Sequence, residues 1–134
     1  MNRRIRVAIV DDDASVRRAL DRLLRFHGYD VDTYATAEAF LRESVAETID
    51  CALVDVRMTG ETGLALAKLL RTAGIGIPVI LMTGDVDMQL VVKAARCGAF
   101  ALLSKPLHDA AIVEAIEAAV AGKESALAGR ADSV

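Results

Sequence analysis

Carboxylates, a hydroxyl and an ammonium recur where apolar runs of this chain end. Ile5-Arg6-Val7-Ala8-Ile9-Val10 meets Asp11-Asp12-Asp13, and Cys51-Ala52-Leu53-Val54 stops on Asp55. Pro78-Val79-Ile80-Leu81-Met82 stops on Thr83, and Phe100-Ala101-Leu102-Leu103 leads through Ser104 to Lys105-Pro106. Buried parallel strands read as continuous apolar runs, and ligands of open α/β sheets sit beyond the carboxyl ends of the strands. Laid side by side, these runs would gather Asp11, Asp12, Asp55, Thr83 and Lys105 at one rim. Carboxylates held close repel one another, and a cation between them relieves the repulsion. A small all-oxygen site that keeps bound water suits Mg²⁺, with Mn²⁺ as a substitute of similar taste. Each group also has a plainer reading. Asp11–Asp13 is a turn and helix cap, Thr83 a strand residue with its hydroxyl on backbone, and Lys105 a solvated strand end. The plain reading of the aspartates weakens because Asp55 ends a second run in the same way.

The elements that must position these groups alternate five times between strand and helix. Strands are predicted at about 5–10, 30–34, 51–54, 78–82 and 100–103. Helices are predicted at about 14–26, 36–45, 64–72, 86–96 and 109–121, on apolar residues at helical spacing. Asp13 is placed to cap the first helix and Asp85 the fourth; His27-Gly28, Gly74, Gly98 and Gly122-Lys123 are placed as stops. The second helix should turn Ala39, Phe40 and Leu41 inward, and the short second strand suits a sheet edge. Residues 123–134, mostly small or polar, read as a flexible C-terminal tail or linker stub after a domain at 4–122. Strand–helix alternation with short connections requires right-handed crossovers and a parallel sheet covered on both faces.

Composition narrows the classes. A chain of 134 residues, 54% hydrophobic and 26% charged, fits one folded domain rather than a disordered segment. A formal net charge of -3 offers no broad attraction to nucleic acid or anionic lipid. Cys51 and Cys97 stand on separate elements, without CxxC or a His cluster, which fits a reducing cytoplasm. The run after Asn2-Arg3-Arg4 is too short for a signal peptide, and no stretch approaches a membrane span.

The segments Ile9-Val10-Asp11-Asp12-Asp13, Leu53-Val54-Asp55-Val56-Arg57-Met58, Met82-Thr83-Gly84 and Ser104-Lys105-Pro106, in that order, resemble the signatures of response-regulator receiver domains, the CheY-like family. Phe40-Leu41, Pro78–Gly84, Asp85–Met88 and Cys97-Gly98-Ala99 are most similar to its FixJ/NarL-type branch. The resemblance covers roughly residues 4–122. It implies a flavodoxin-like (βα)5 fold, a doubly wound five-stranded parallel sheet of order 2-1-3-4-5. It implies that Asp55 accepts a phosphoryl group from a histidine kinase or phosphotransferase. Asp12 and Asp55 would ligate Mg²⁺ directly, Asp11 through water, and the backbone carbonyl of Arg57 would complete the protein ligands. Lys105 and Thr83 would contact the phosphoryl oxygens, and the face of helix four, strand five and helix five would change to control partner binding or dimerisation. Arg17, Arg18, Arg22 and Arg25 recur along helix one, the kinase-docking helix of the family, and otherwise read as a solvated face.

Three departures stand out. Thr59 replaces the usual proline, beside Gly60; Leu102 replaces the aromatic switch partner; and no output-domain pattern follows helix five. Arg57 and Asp85, each two residues beyond a site residue, could pair across the site and lengthen the phosphate's lifetime, or be two solvated charges. The reading is a stand-alone switch, not an enzyme, with slow loss of its own phosphate and no direct contact with nucleic acid or membrane. Its alternatives are the receiver fragment of a DNA-binding transcriptional regulator and an aspartyl-nucleophile phosphohydrolase. The phosphohydrolase also places DxD after its first strand, but it wants Thr or Val where this chain has Ser15.

Overall fold

Every residue of the third and fourth strands is buried, which is possible only where both faces of a sheet are covered. The computed structural model describes residues 3–58 and 62–132. Its elements are β1 (Arg6–Val10), α1 (Ala14–Phe26), β2 (Asp30–Tyr34), α2 (Ala37–Glu43), β3 (Cys51–Asp55), α3 (Gly63–Thr72), β4 (Val79–Thr83), α4 (Met88–Arg96), β5 (Ala101–Ser104) and α5 (Asp109–Asp132), with a 3₁₀ turn at Ala46–Thr48. All strand pairs are parallel, in the order β2-β1-β3-β4-β5. The expected doubly wound, flavodoxin-like sheet is therefore present.

Alternation along the strands divides the core. Ala8, Val10, Ala52, Val54, Val79 and Leu81 pack with Phe40 of α2, Leu66 and Leu70 of α3 and Ala94 of α4. Val7, Ile9, Leu53, Ile80 and Met82 pack with Leu20 and Leu24 of α1 and Ile112 and Ile116 of α5. Each fully buried side chain of this size contributes roughly 1.5–3 kcal/mol. Register then lines up the carboxyl ends: Val10 pairs with Val54, Asp55 with Met82, and Thr83 with Ser104. Asp11 and Asp55 each follow one member of the Val10–Val54 pair.

Several element bounds differ from expectation. Helix α2 stops at Glu43, because Ser44 and Val45 take extended backbone, which a β-branched residue favours; Leu41 is exposed. Helix α4 is capped by Asp87, whose carboxylate accepts the Leu90 N–H at 2.8 Å, and not by Asp85. Thr62 caps α3, accepting the Ala65 N–H at 3.1 Å. Helix α5 continues past Gly122 to Asp132. One glycine costs a helix about 1 kcal/mol relative to alanine, and the helix formers around it absorb that cost. Thr59 and Gly60 lie outside the described residues. Cys51 and Cys97 are free and buried. Among the described residues, no helix is long and apolar enough to cross a membrane.

Candidate functional site

The turn between β1 and α1 builds one wall of the rim. Asp11 is fully buried; its N–H donates to the Tyr34 carbonyl at 3.1 Å and its carboxylate accepts the Asp13 N–H at 2.9 Å. Asp13 turns away to cap α1, accepting the Ser15 N–H at 2.8 Å. Arg17, one turn into α1, donates from Nη1 to the Asp11 carbonyl at 2.7 Å.

Asp55 is the last residue of β3 and is buried. Its Oδ1 accepts the Arg57 N–H at 3.1 Å, which bends the chain away from the strand and leaves Oδ2 turned to the rim. Gly63 lets the first turn of α3 approach that strand end closely. A side-chain carbon there would lie 2.3 Å from the Asp55 carbonyl oxygen, and the Gly63 N–H donates to the Val56 carbonyl at 3.1 Å.

Asp11, Asp12 and Asp55 each present an oxygen within 4.8 Å of the others. Lys105 crosses from beyond β5, its ammonium 3.3 Å from Asp55 Oδ2 and 3.4 Å from Asp11 Oδ2. The backbone holds it there, because the Lys105 N–H donates to the Thr83 carbonyl at 2.7 Å. Burial raises the carboxyl of Asp11 above its ordinary range, and the neighbouring Asp55 adds to this, against the Asp13 N–H and Lys105. For Lys105, burial pulls the ammonium down but the charges of Asp11 and Asp55 outweigh it, so it stays protonated above its ordinary value. The donor set is therefore hard, anionic and short of positive charge, and it fits a divalent cation with oxygen ligands.

Thr83 ends β4 and is buried. Its hydroxyl is occupied by the next turn, accepting the Asp85 N–H at 3.2 Å and donating to the Asp85 carbonyl at 3.4 Å. Leu102 is partly buried in the core cluster that holds α3 and α4. Arg57 Nη2 lies 3.7 Å from Asp85 Oδ2, with the two side chains 78% and 76% exposed. A pair so exposed contributes about 0–1 kcal/mol to stability.

The structure thus brings Asp11, Asp12, Asp55 and Lys105 together, and it holds Thr83 at the adjoining strand end with its hydroxyl on the turn backbone. Sequence reasoning missed the contact of Arg17, which it grouped with three other arginines as a solvated or kinase-docking face of helix one. Its position six residues after Asp11 was the available signal.

A family model described as the response regulator receiver domain matches residues 7–117. The transcriptional regulatory protein FixJ of Azorhizobium caulinodans is 42% identical over 114 residues, which are 85% of this chain and 54% of that protein. Nodulation protein W of Bradyrhizobium diazoefficiens is 36% identical over 113 residues, 84% of this chain and 50% of its own length. Among solved structures, the crystal structure of FixJ-N aligns with a TM-score of 0.79 at 36% identity, covering 89% of this chain and 95% of that one. Response regulator StyR aligns with a TM-score of 0.86 at 34% identity, covering 98% and 66%. The chain spans about half the length of the curated relatives it matches. With the matched region reaching from β1 into α5 and the strand order agreeing, the chain belongs to the receiver-domain family of two-component response regulators, among its FixJ-like members.

Proposed function

We propose that Asp55 accepts a phosphoryl group from the phosphohistidine of a histidine kinase or phosphotransferase, in the cytoplasm, and that the modified domain signals through protein partners. The observation that carries this reading is the Asp55 carboxylate, near-buried at a strand end, grouped with two further carboxylates and 3.3 Å from an ammonium. An Asp55 oxygen forms the new O–P bond as the P–N bond to the donor imidazole breaks, and the imidazole leaves neutral once protonated. Asp12, Asp55 and the Arg57 carbonyl would hold Mg²⁺, or Mn²⁺ in its place, with Asp11 acting through water; when bound, the cation would offset negative charge on the transferring group. Lys105 then pairs with phosphoryl oxygens.

Thr83 leaves Asp85 to hydrogen-bond the same oxygens, and Leu102 repacks behind it. That change reaches the face of α4, β5 and α5, where Met88, Val91, Val92 and Phe100 already expose apolar surface for a partner or a second copy. The protein acts as a switch that loses its phosphate slowly, not as an enzyme on a separate substrate. A second reading, the receiver portion of a DNA-binding transcriptional regulator, draws on FixJ, of which this chain matches 54%; the output contact would then lie outside this domain.

Incubation with acetyl phosphate and Mg²⁺, followed by intact mass, tests the proposal. The parent should gain one phosphoryl mass and Asp55→Asn should not. Equal gain by both chains refutes the assignment, and steady turnover of a phosphomonoester would favour the phosphohydrolase instead.

A further inference from the structure

Arg17 is not one of the rim groups, yet its side chain ends on the peptide that carries one of them. Its guanidinium donates to the Asp11 carbonyl at 2.7 Å from helix α1. The N–H of the same residue is held by Tyr34 in β2, and its carboxylate by the Asp13 N–H. Asp11 is thus fixed at both main-chain polar atoms, and among the described residues the carbonyl is held by the Arg17 side chain. Asp12 follows directly and is the exposed member of the acidic trio. Its N–H belongs to the same peptide as the carbonyl that Arg17 holds. A charge-assisted bond of this length, partly out of water, is among the stronger kinds.

We infer that Arg17 is a positioning residue for the cation site: by holding the Asp11 carbonyl it fixes the β1–α1 turn that presents Asp11 and Asp12 to a divalent cation. This rests on reading the acidic trio as a cation site. Two effects of Arg17 oppose each other. Its positive charge disfavours a second cation nearby, but in salt and at a hydrated rim screening limits that to a few-fold. Its hydrogen bond holds the ligand-bearing turn, and loss of such an outer partner typically costs 10–100-fold in affinity. Positioning therefore wins.

The test is titration with MgCl₂ alone, following amide shifts of Asp11–Asp13 by NMR, with thermal unfolding in chelator as the check on folding. Arg17→Ala should raise the Mg²⁺ Kd about tenfold. Arg18→Ala removes the same charge from the neighbouring residue and should leave the Kd within about twofold. If Arg17→Ala does not fold, Arg17→Met, which keeps the apolar stem, carries the same expectation. An Arg17 variant that binds Mg²⁺ as tightly as the parent overturns the inference, as does a weakening that Arg18→Ala reproduces. A parent chain that binds no Mg²⁺ instead removes the cation-site reading itself, so the two failures are distinct.

Discussion

Gly63 is the position where a single methyl group should report on the architecture of the rim. Alanine there places its Cβ 2.3 Å from the Asp55 carbonyl oxygen, 3.0 Å from its carbonyl carbon and 3.1 Å from Val54 Cγ1. The nearest obstacle is main chain in a central strand, which cannot swing aside as a side-chain tip can. Overpacking of this kind costs typically 1–3 kcal/mol, and the rigidity of β3 puts it near about 3. Alanine returns up to about 1 kcal/mol through its helix preference. The net loss is therefore about 2 kcal/mol, and for a domain of this size the Tm falls by about 8 °C. Because the strained atoms belong to Asp55, labelling by acetyl phosphate should fall as well. Gly122→Ala supplies the contrast: it lies inside α5, its Cβ would meet only Phe100 at 3.4 Å, and it should gain about 0.5–1 kcal/mol. Thermal and urea unfolding of both variants would measure this. A Gly63→Ala protein with a Tm at or above the parental value would refute the packing argument.

Other perturbations test the charges and the thiols. Burial holds the Asp11 carboxyl above its ordinary 3.8, so its ionised form costs native stability above the folded value and nothing below the unfolded one. In chelated buffer Asp11→Asn should raise the urea midpoint at pH 7, with the gain vanishing as the pH falls below about 3.8; a variant less stable than the parent at pH 7 contradicts this. Burial pushes the Cys51 thiol up to about 12, and it has no exposed surface, so alkylation at pH 8 should occur only after unfolding; labelling of Cys51 in the native chain, read by peptide mass, would count against it. Arg57→Ala should change the unfolding free energy by no more than about 1 kcal/mol, since the pair with Asp85 is exposed. It should shorten the acyl-phosphate lifetime, and loss at the parental rate would leave Arg57 and Asp85 as two solvated charges.

Strand ends were legible in the sequence because a buried parallel strand must be apolar throughout, so the first polar residue marks where solvent or a ligand begins. Asp11, Asp55 and Thr83 were found that way, and Lys105 stands one residue past Ser104. Cap identity was not legible. Asp85 and Asp87 are equally able to cap a helix, and the choice falls to Asp87 because the Thr83 hydroxyl takes the backbone of Asp85. The stop at Gly122 failed for a related reason, since glycine ends a helix only where the chain also adopts a left-handed turn, as Gly28, Gly74 and Gly98 do. Arg17 stayed hidden because periodicity reports which side of a helix a residue occupies and not how far a long side chain reaches.

The grip on Thr83 at rest is weak. A 3.2 Å bond and a marginal 3.4 Å one fasten its hydroxyl to Asp85, so releasing it costs about 1–2 kcal/mol. At that energy roughly one molecule in thirty to one in six idles with the threonine already detached. On the switching role proposed for Thr83, such a regulator would leak a baseline output without any upstream stimulus, and replacing Thr83 with alanine would silence the leak and the response together.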